Sequence, residues 1–309
     1  MPALKTAIAE HGLVEAFWDA AAARRLELER IPVERAVAAM RRMVRTLDYD
    51  ICEMAFVTYL SAKAAGIPIT ALPVFVTRGF HQRAIFVRSG SGIAGPKDLE
   101  GRDIPVNRGH TVTTNVWARG LLETEYGVDL GSIRWLPTDD EHVRQYRAPE
   151  NVDYRHRGED IVGLLLSGAY DAAIGDIRSD SPAIRTLIAN PSQAGLDYFR
   201  KTGIYPANHT IVVKDEVLHA HPGLARDLYA AFEEAKAAYR ARLSAATELS
   251  TADAAISELS REVGDPFPYG IAANRKAIDT LIRHSVSQKI IPRAFAMEEL
   301  FAAETIVSD

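Results

Sequence analysis

Short apolar segments alternate with helical segments along most of the chain, and this order of elements restricts the fold more than any other feature. Apolar residues recur at helical spacing from Val33 to Leu47, and a short buried strand is predicted directly after them at 49–54. Further strands are predicted at 4–10, 26–31, 69–77, 83–87, 102–107, 132–137, 170–175 and 210–214. Because strands that alternate with helices form sheets covered by helices, the sequence predicts an α/β protein.

The length of the chain favours two lobes. With 309 residues, the chain is near the size at which one hydrophobic core stops growing. A pattern of helix, turn, Tyr-Asp and strand occurs twice, around Glu53 and around Asp176, as two similar lobes would produce. We place one crossing in the turn-rich segment 90–101 and the return before strand 210–214. Lobe 1 is therefore predicted at 1–94 and 201–309 and lobe 2 at 95–200, with a ligand cleft between the lobes.

Charge and cysteine content exclude several classes of protein. The chain has 36 Lys and Arg against 41 Asp and Glu, a net charge of −5, so neither nucleic acid nor an anionic membrane is an expected partner. Cys52 is the single cysteine, which excludes an internal disulfide and a cysteine-rich zinc site. The first residues lack the pattern of a signal peptide, and the longest apolar run is too short to span a membrane. We expect a cytoplasmic protein with a small-molecule partner.

Three cationic or potentially cationic residues lie between two predicted strands. Packing gives little reason for Arg78, His81 and Arg83 at this position, whereas a dianionic ligand would pair with them, because guanidinium groups bind carboxylates bidentately. The alternative is a solvated basic turn.

The loop at 108–114 follows a strand and begins a helix. Its free backbone NH groups, the positive end of the helix dipole and the hydroxyls of Thr111, Thr113 and Thr114 suit a carboxylate, with His110 beside them. In a simpler interpretation, which is compatible with the first, Thr111 or Thr113 caps the helix.

A second group of polar residues is expected at the cleft. Tyr205, Asn208 and His209 lead into the return crossing. A second interpretation of His209 is an ordinary polar residue near the end of a strand. Glu53 and Asp176 lie near the carboxyl ends of short strands, where open α/β sheets bind ligands. Each of these carboxylates could orient a histidine, bind a phenolic hydroxyl or cap the following helix.

Four segments of the chain resemble those of a known family, and the resemblance extends to about Pro222. The segments are Asp50–Ala55, Pro73–His81, Asn115–Leu122 and Gly203–His209. They resemble the type II periplasmic-binding-protein fold and, within it, the 4,5-dihydroxyphthalate decarboxylase family. The resemblance implies a two-lobed α/β fold of this type and a carboxy-lyase that needs no cofactor.

The activity implied by the resemblance is the non-oxidative decarboxylation of a hydroxylated aromatic (di)carboxylate such as 4,5-dihydroxyphthalate. The ring carbon is protonated and CO2 leaves; His81 or His209 would deliver the proton. Glu53 or Asp176 would take the phenolic proton or orient the histidine. The residues expected to bind the substrate are Arg78, Arg83, His110, Thr111, Thr113, Thr114, Tyr205 and Asn208.

Several alternatives stay open. One is a non-catalytic binding protein that closes on a small anionic or aromatic ligand, and another is an enzyme acting on a different aromatic or heterocyclic acid. A divalent metal held by His81, His110 and His209, with Glu53 or Asp176, is a third, although no His-x-His or His-x-x-x-His pair occurs. The sequence shows no motif for a nucleotide cofactor. It carries no interface signal, so a homo-oligomer is also left open.

Overall fold

The computed structural model describes residues 3–306, which form two compact units. Unit 1 comprises the chain up to Arg78, Ala207–Ile278 and the chain from Phe295 on. Unit 2 comprises Gly79–Pro206 and Asp279–Ala294. Among the described residues, no helix is both long enough and apolar enough to cross a membrane.

Residues 3–306 contain ten strands and eleven α-helices. The strands are β1 (Leu4–Ala7), β2 (Leu28–Arg30), β3 (Ile51–Ala55), β4 (Ile69–Arg78), β5 (Ile85–Arg88), β6 (Asp103–Val106), β7 (Arg134–Pro137), β8 (Ala172–Ile174), β9 (Ile184–Thr186) and β10 (Ala207–Lys214). The helices are α1 (Gly12–Ala23), α2 (Ala36–Thr46), α3 (Phe56–Ala64), α4 (Thr113–Tyr126), α5 (Ile161–Leu166), α6 (Pro191–Thr202), α7 (Asp215–Ala220), α8 (Leu224–Ala245), α9 (Thr251–Val263), α10 (Ile271–Ser287) and α11 (Met297–Leu300).

Unit 1 is built around a sheet with the strand order β2-β1-β3-β10-β4. β1 is parallel to β2 and to β3, whereas β10 is antiparallel to both of its neighbours. All five residues of β3 are buried, because this strand lies at the centre of the sheet. Helices α1 and α8 pack together through the stacked rings of Phe17 and Phe232, whose centroids are 4.0 Å apart.

Unit 2 repeats this arrangement with the strand order β7-β6-β8-β5-β9. β6 is parallel to β7 and β8, and β5 is antiparallel to β8 and β9. β3 and β8 occupy the same central position in their sheets. The Tyr-Asp pattern that the sequence shows twice therefore precedes the central strand of each unit.

The bounds of the two units differ from those of the predicted lobes. The chain passes from unit 1 to unit 2 after Arg78 rather than at 94–95, because β5 pairs with β8 and β9 of unit 2. The segment 279–294 also belongs to unit 2. Its Gln288 accepts a hydrogen bond from Arg119 and donates one to the carbonyl of Val116, both on α4.

Candidate active site

Pairing between β3 and β10 brings Glu53 and His209 together in unit 1. In this antiparallel ladder Ile211 lies opposite Glu53, and His209 lies opposite Ala55. Residues two apart on a strand share a face, so His209 is the diagonal neighbour of Glu53. The Nδ1 atom of His209 lies 2.6 Å from Oε1 of Glu53, within hydrogen-bond distance.

The carboxylate of Glu53 is buried and has several donors. The residue is only 4% exposed. Its Oε2 accepts a hydrogen bond of 2.9 Å from the NH of Ala9, just beyond β1, and Oε1 accepts a longer one of 3.4 Å from the hydroxyl of Thr77. Burial alone would raise the pKa of Glu53, but the hydrogen bond and charge of His209 and the NH of Ala9 outweigh it and lower the pKa. Glu53 is therefore ionised at neutral pH.

The imidazole of His209 is oriented by this carboxylate. Because an ionised carboxylate only accepts hydrogen bonds, Nδ1 of His209 carries the proton between the two residues. That leaves Nε2 as the nitrogen that can give up or take a proton. The side chain of His209 is 24% exposed, against 4% for that of Glu53. A buried carboxylate thus holds a histidine that a ligand can reach.

His11 lies in the same cluster as Glu53 and His209, and the sequence does not predict this. It follows β1 and precedes α1, and its Nε2 is buried without a hydrogen-bond partner among the described residues. Burial lowers the pKa of His11, while the charge of Glu53 raises it and that of His209 lowers it further. The sequence carries no signal that would place His11 near Glu53, because His11 lies outside every motif.

In unit 2, the loop at 108–114 binds a carboxylate that the chain itself supplies. The backbone NH groups of His110 and Thr111 donate to the two carboxylate oxygens of Glu141, at 2.6 and 3.0 Å. The hydroxyls of Thr111 and Tyr154 donate to the same carboxylate, at 2.5 and 2.7 Å. The donors of this loop therefore bind an internal carboxylate, and the predicted binding of a substrate carboxylate stays a prediction. The simpler interpretation of a threonine cap is wrong, because Val112 occupies the N-cap of α4 and no side chain caps it.

Comparison with known proteins identifies the family. No family model matches the chain. The 4,5-dihydroxyphthalate decarboxylase of Comamonas testosteroni is 33% identical over 287 residues, which cover 86% of this chain and 86% of that protein. The chain belongs to the 4,5-dihydroxyphthalate decarboxylase family. It is an enzyme of the carboxy-lyase class. A protein of the same name from Pseudomonas putida is 33% identical over 172 residues, 52% of this chain and 66% of that protein.

A solved structure confirms the predicted fold. The periplasmic aliphatic sulphonate binding protein SsuA from Escherichia coli matches with a TM-score of 0.54 at 14% identity, covering 100% of this chain and 94% of that one. At this identity the likeness concerns the fold alone. The chain thus has the periplasmic-binding-protein-like α/β fold that the sequence predicts for this family, while the ligand cleft stays a prediction.

The remaining candidate residues of unit 1 are Arg78 and Asn208. Nη2 of Arg78 donates to the carbonyl of Pro268, at 3.0 Å, and to the side chain of Asn274 at the start of α10. Its guanidinium also lies over the ring of Phe75, at 5.1 Å. Arg78 therefore fastens neighbouring segments of unit 1 together. Asn208 is half-buried on β10, beside His209.

The other candidate residues belong to unit 2 and have different environments. His81 is buried with its ring stacked on that of Trp117, at 6.1 Å between centroids, and the ring of Tyr205 packs against Phe80. The helix start buries Thr113 and half-buries Thr114. Arg83 and Asp176 are exposed. Of the two carboxylates predicted to orient a histidine, Glu53 does so in the structure.

Metal ligation was the remaining alternative. Within residues 3–306, no group of three or more His, Cys, Asp or Glu side chains is arranged to hold a metal ion. The ligand set of His81, His110 and His209 that the sequence suggests is therefore not found as such a group.

Proposed function

We propose that the protein decarboxylates a hydroxylated aromatic dicarboxylate of the phthalate type, such as 4,5-dihydroxyphthalate, with His209 as the general acid. The observation that carries the proposal is the contact of 2.6 Å between His209 and the buried carboxylate of Glu53. The name of the family supports the substrate class. His209 is favoured over His81 as the acid because His81 is buried and stacked on Trp117.

The reaction needs one proton and releases one molecule of CO2. The lone pair of a phenolic hydroxyl increases the electron density of the ring, and the ring carbon that carries the carboxylate takes a proton from Nε2–H of His209. The bond between that carbon and the carboxylate then breaks, its electron pair returns to the ring, and CO2 leaves. Glu53 stabilises the imidazolium form of His209 before the transfer and keeps the imidazole oriented after it.

The predicted substrate-binding residues differ in the partners that they already have. Arg83 is exposed and can reach a ligand, whereas Arg78 is already hydrogen-bonded within unit 1. The backbone NH groups of His110 and Thr111 bind Glu141. A substrate carboxylate would have to displace Glu141 to use the same donors. Location in the cytoplasm, which the sequence predicts, stays part of the proposal.

The test is an assay of CO2 release and of the aromatic product, with 4,5-dihydroxyphthalate and a panel of hydroxybenzoates. We expect turnover that a chelator does not affect, and a loss of about 100- to 10,000-fold in kcat for His209→Ala with the fold retained. His156→Ala is the matched control, because His156 also places Nδ1 near a glutamate oxygen, at 2.8 Å from Glu159, in a different part of the chain.

Three outcomes would contradict parts of the proposal. Wild-type rates in His209→Ala would overturn its assignment as the acid, and loss of turnover with the chelator would favour a metal. No turnover of any compound, together with a ligand-dependent rise in melting temperature, would favour the non-catalytic binding protein.

A further inference from the structure

A cavity of about 190 Å³ lies within unit 2 and is lined only by residues of that unit. Its lining includes the polar residues Arg119, His110 and Gln288. It also includes the apolar residues Val128, Leu130 and Trp135. The proposed reaction does not use Arg119, and of the residues that line this cavity it involves only His110, through its backbone NH.

Arg119 brings a positive charge to the wall of the cavity. Its side chain is fully buried, Nε donates to the side chain of Gln288 at 2.8 Å, and Nη2 donates to the carbonyl of His110 at 2.7 Å. Nη1 has no hydrogen-bond partner within residues 3–306. Burial lowers the pKa of Arg119 to about 10, so the guanidinium is still charged at neutral pH. The guanidinium also lies over the ring of Trp135, at 5.4 Å. The charge of Glu141 acts on Arg119, but among the described contacts of Arg119 no carboxylate contacts the guanidinium, whereas buried charges in proteins are as a rule paired with an opposite charge.

His110 lines the same cavity, and its ring carries two further polar atoms. Both ring nitrogens are buried and lack a hydrogen-bond partner in the described part of the chain. Burial and the charge of Arg119 hold the pKa of His110 well below its usual range, so the ring is neutral. A neutral imidazole offers one donor and one acceptor. Three unpartnered nitrogens of two buried side chains thus belong to residues that line one cavity.

We propose that this cavity binds a small aromatic monocarboxylate of the benzoate class. The carboxylate would accept hydrogen bonds from Nη1 of Arg119, and the ring would lie against Val128, Leu130 and Trp135. Glu123 and Asp129 also line the cavity and disfavour a second negative charge on the ligand. The volume suffices for one ring, since a cavity of about 150 Å³ can hold benzene. The proposal does not depend on the proposed reaction. Because the product of that reaction is itself a benzoate, the variants below assign benzoate binding to this cavity rather than to the site of Glu53 and His209.

The first experiment is calorimetric titration of the full chain with benzoate and, separately, with benzamide, its uncharged analogue. We expect one benzoate site in this cavity and an affinity about 10-fold or more weaker for benzamide, because the amide lacks the charge that Arg119 recognises. We expect Arg119→Met to lose about 10-fold or more of the affinity for benzoate. Absence of benzoate binding, equal affinity for the two compounds, or undiminished binding by a folded Arg119→Met variant would overturn the proposal.

A surface variant keeps the proposal testable if Arg119→Met does not fold. Lys289 is exposed and lines the cavity, so Lys289→Glu should weaken benzoate binding about 3- to 10-fold at low salt without disturbing the core. Arg261→Glu on α9 of unit 1 changes the net charge by the same amount and should bind benzoate as the wild type does. Equal affinity in the two variants would contradict the placement of the ligand in this cavity.

Discussion

In unit 1 the carboxylate of Glu53 lies 2.6 Å from a ring nitrogen of His209, whereas in unit 2 the carboxylate of Glu141 lies 2.6 Å from the backbone nitrogen of His110. The distances are equal, but the donors differ. A carboxylate on an imidazole holds a proton that can be transferred, and a carboxylate on backbone NH groups fixes the conformation of a loop. The atom that each glutamate binds therefore determines what the pair can do.

The largest expected difference between the two glutamates is in turnover. We expect Glu53→Gln to lower kcat by about 1,000-fold, because the neutral amide no longer stabilises the imidazolium form of His209. Glu141→Gln should lower kcat by about 10-fold or less, since Glu141 contacts no proton donor of the reaction. Steady-state kinetics on both variants, with circular dichroism to confirm folding, measures this. Equal losses in the two variants would remove the distinction between the pairs.

The buried His284 of unit 2 should make the protein sensitive to acid. Burial lowers the pKa of His284 from 6.5 to about 4, and Nε2 of His284 has no partner among the described residues. Below pH 6.5, His284 binds a proton in the unfolded chain but not in the folded protein. The stability present above pH 6.5 is therefore lost as the pH falls towards 4. One such group costs about 3 kcal/mol over this range. Urea unfolding of the wild type and of His284→Asn between pH 6.5 and 4 measures this loss. The variant should lose about 3 kcal/mol less of its free energy of unfolding than the wild type. Equal losses in the two proteins would contradict the assignment.

A methyl group next to Glu141 should weaken its position in the loop. A Cβ atom on Gly109 would lie 2.7 Å from Oε2 of Glu141, so Gly109→Ala must displace the carboxylate from the NH groups of His110 and Thr111. We expect a loss of about 2 kcal/mol in the free energy of unfolding. Gly79→Ala is the control, because its Cβ would meet no atom within 4 Å. Equal stability of the two variants would show that the carboxylate is held loosely.

The smallest expected effect tests the weakest contact of Glu53. The hydroxyl of Thr77 donates to Oε1 of Glu53 at 3.4 Å, a length at which a hydrogen bond contributes little. Thr77→Val keeps the shape of the side chain and should change the free energy of unfolding by about 0.5 kcal/mol and kcat by about threefold at most. A tenfold loss of kcat would mean that Thr77 takes part in holding the Glu53–His209 pair.

Much of the fold could be predicted from the sequence, because the period of the apolar pattern is a local property. The predicted strands at 49–54, 69–77 and 210–214 correspond to β3, β4 and β10. Helix α6 was not predicted, and one reason is Gly195, a poor helix former in its interior. A Cβ atom on Gly195 would lie 2.6 Å from the side chain of Phe80, so a tertiary contact demands the glycine. Strand β9 has three residues, which is too short to show a period.

The site could be predicted only in part, because the contacts that form it are not local in the sequence. Glu53 and His209 carry recognisable chemistry. Glu53 lies on a predicted strand and His209 directly before one, but 156 residues separate them. Their contact depends on the register of β10 against β3, which places His209 opposite Ala55. Alternation predicts which residues of a strand share a face, but not which residues of two strands distant in the sequence lie opposite one another. Glu141 was missed because it lies in an irregular segment, where side-chain direction follows no period.

Helix α10 has a consequence for the order in which the protein is completed during synthesis. It belongs to unit 1 up to Ile278 and to unit 2 from Asp279 on, so unit 2 includes a segment that is made well after Pro206. Gln288, a hydrogen-bond partner of Arg119, follows it by 169 residues. At ribosomal speeds Arg119 is made about 10–30 s before Gln288. Unit 2 is therefore completed around this arginine late, and until then Nε of Arg119 lacks the acceptor that Gln288 supplies.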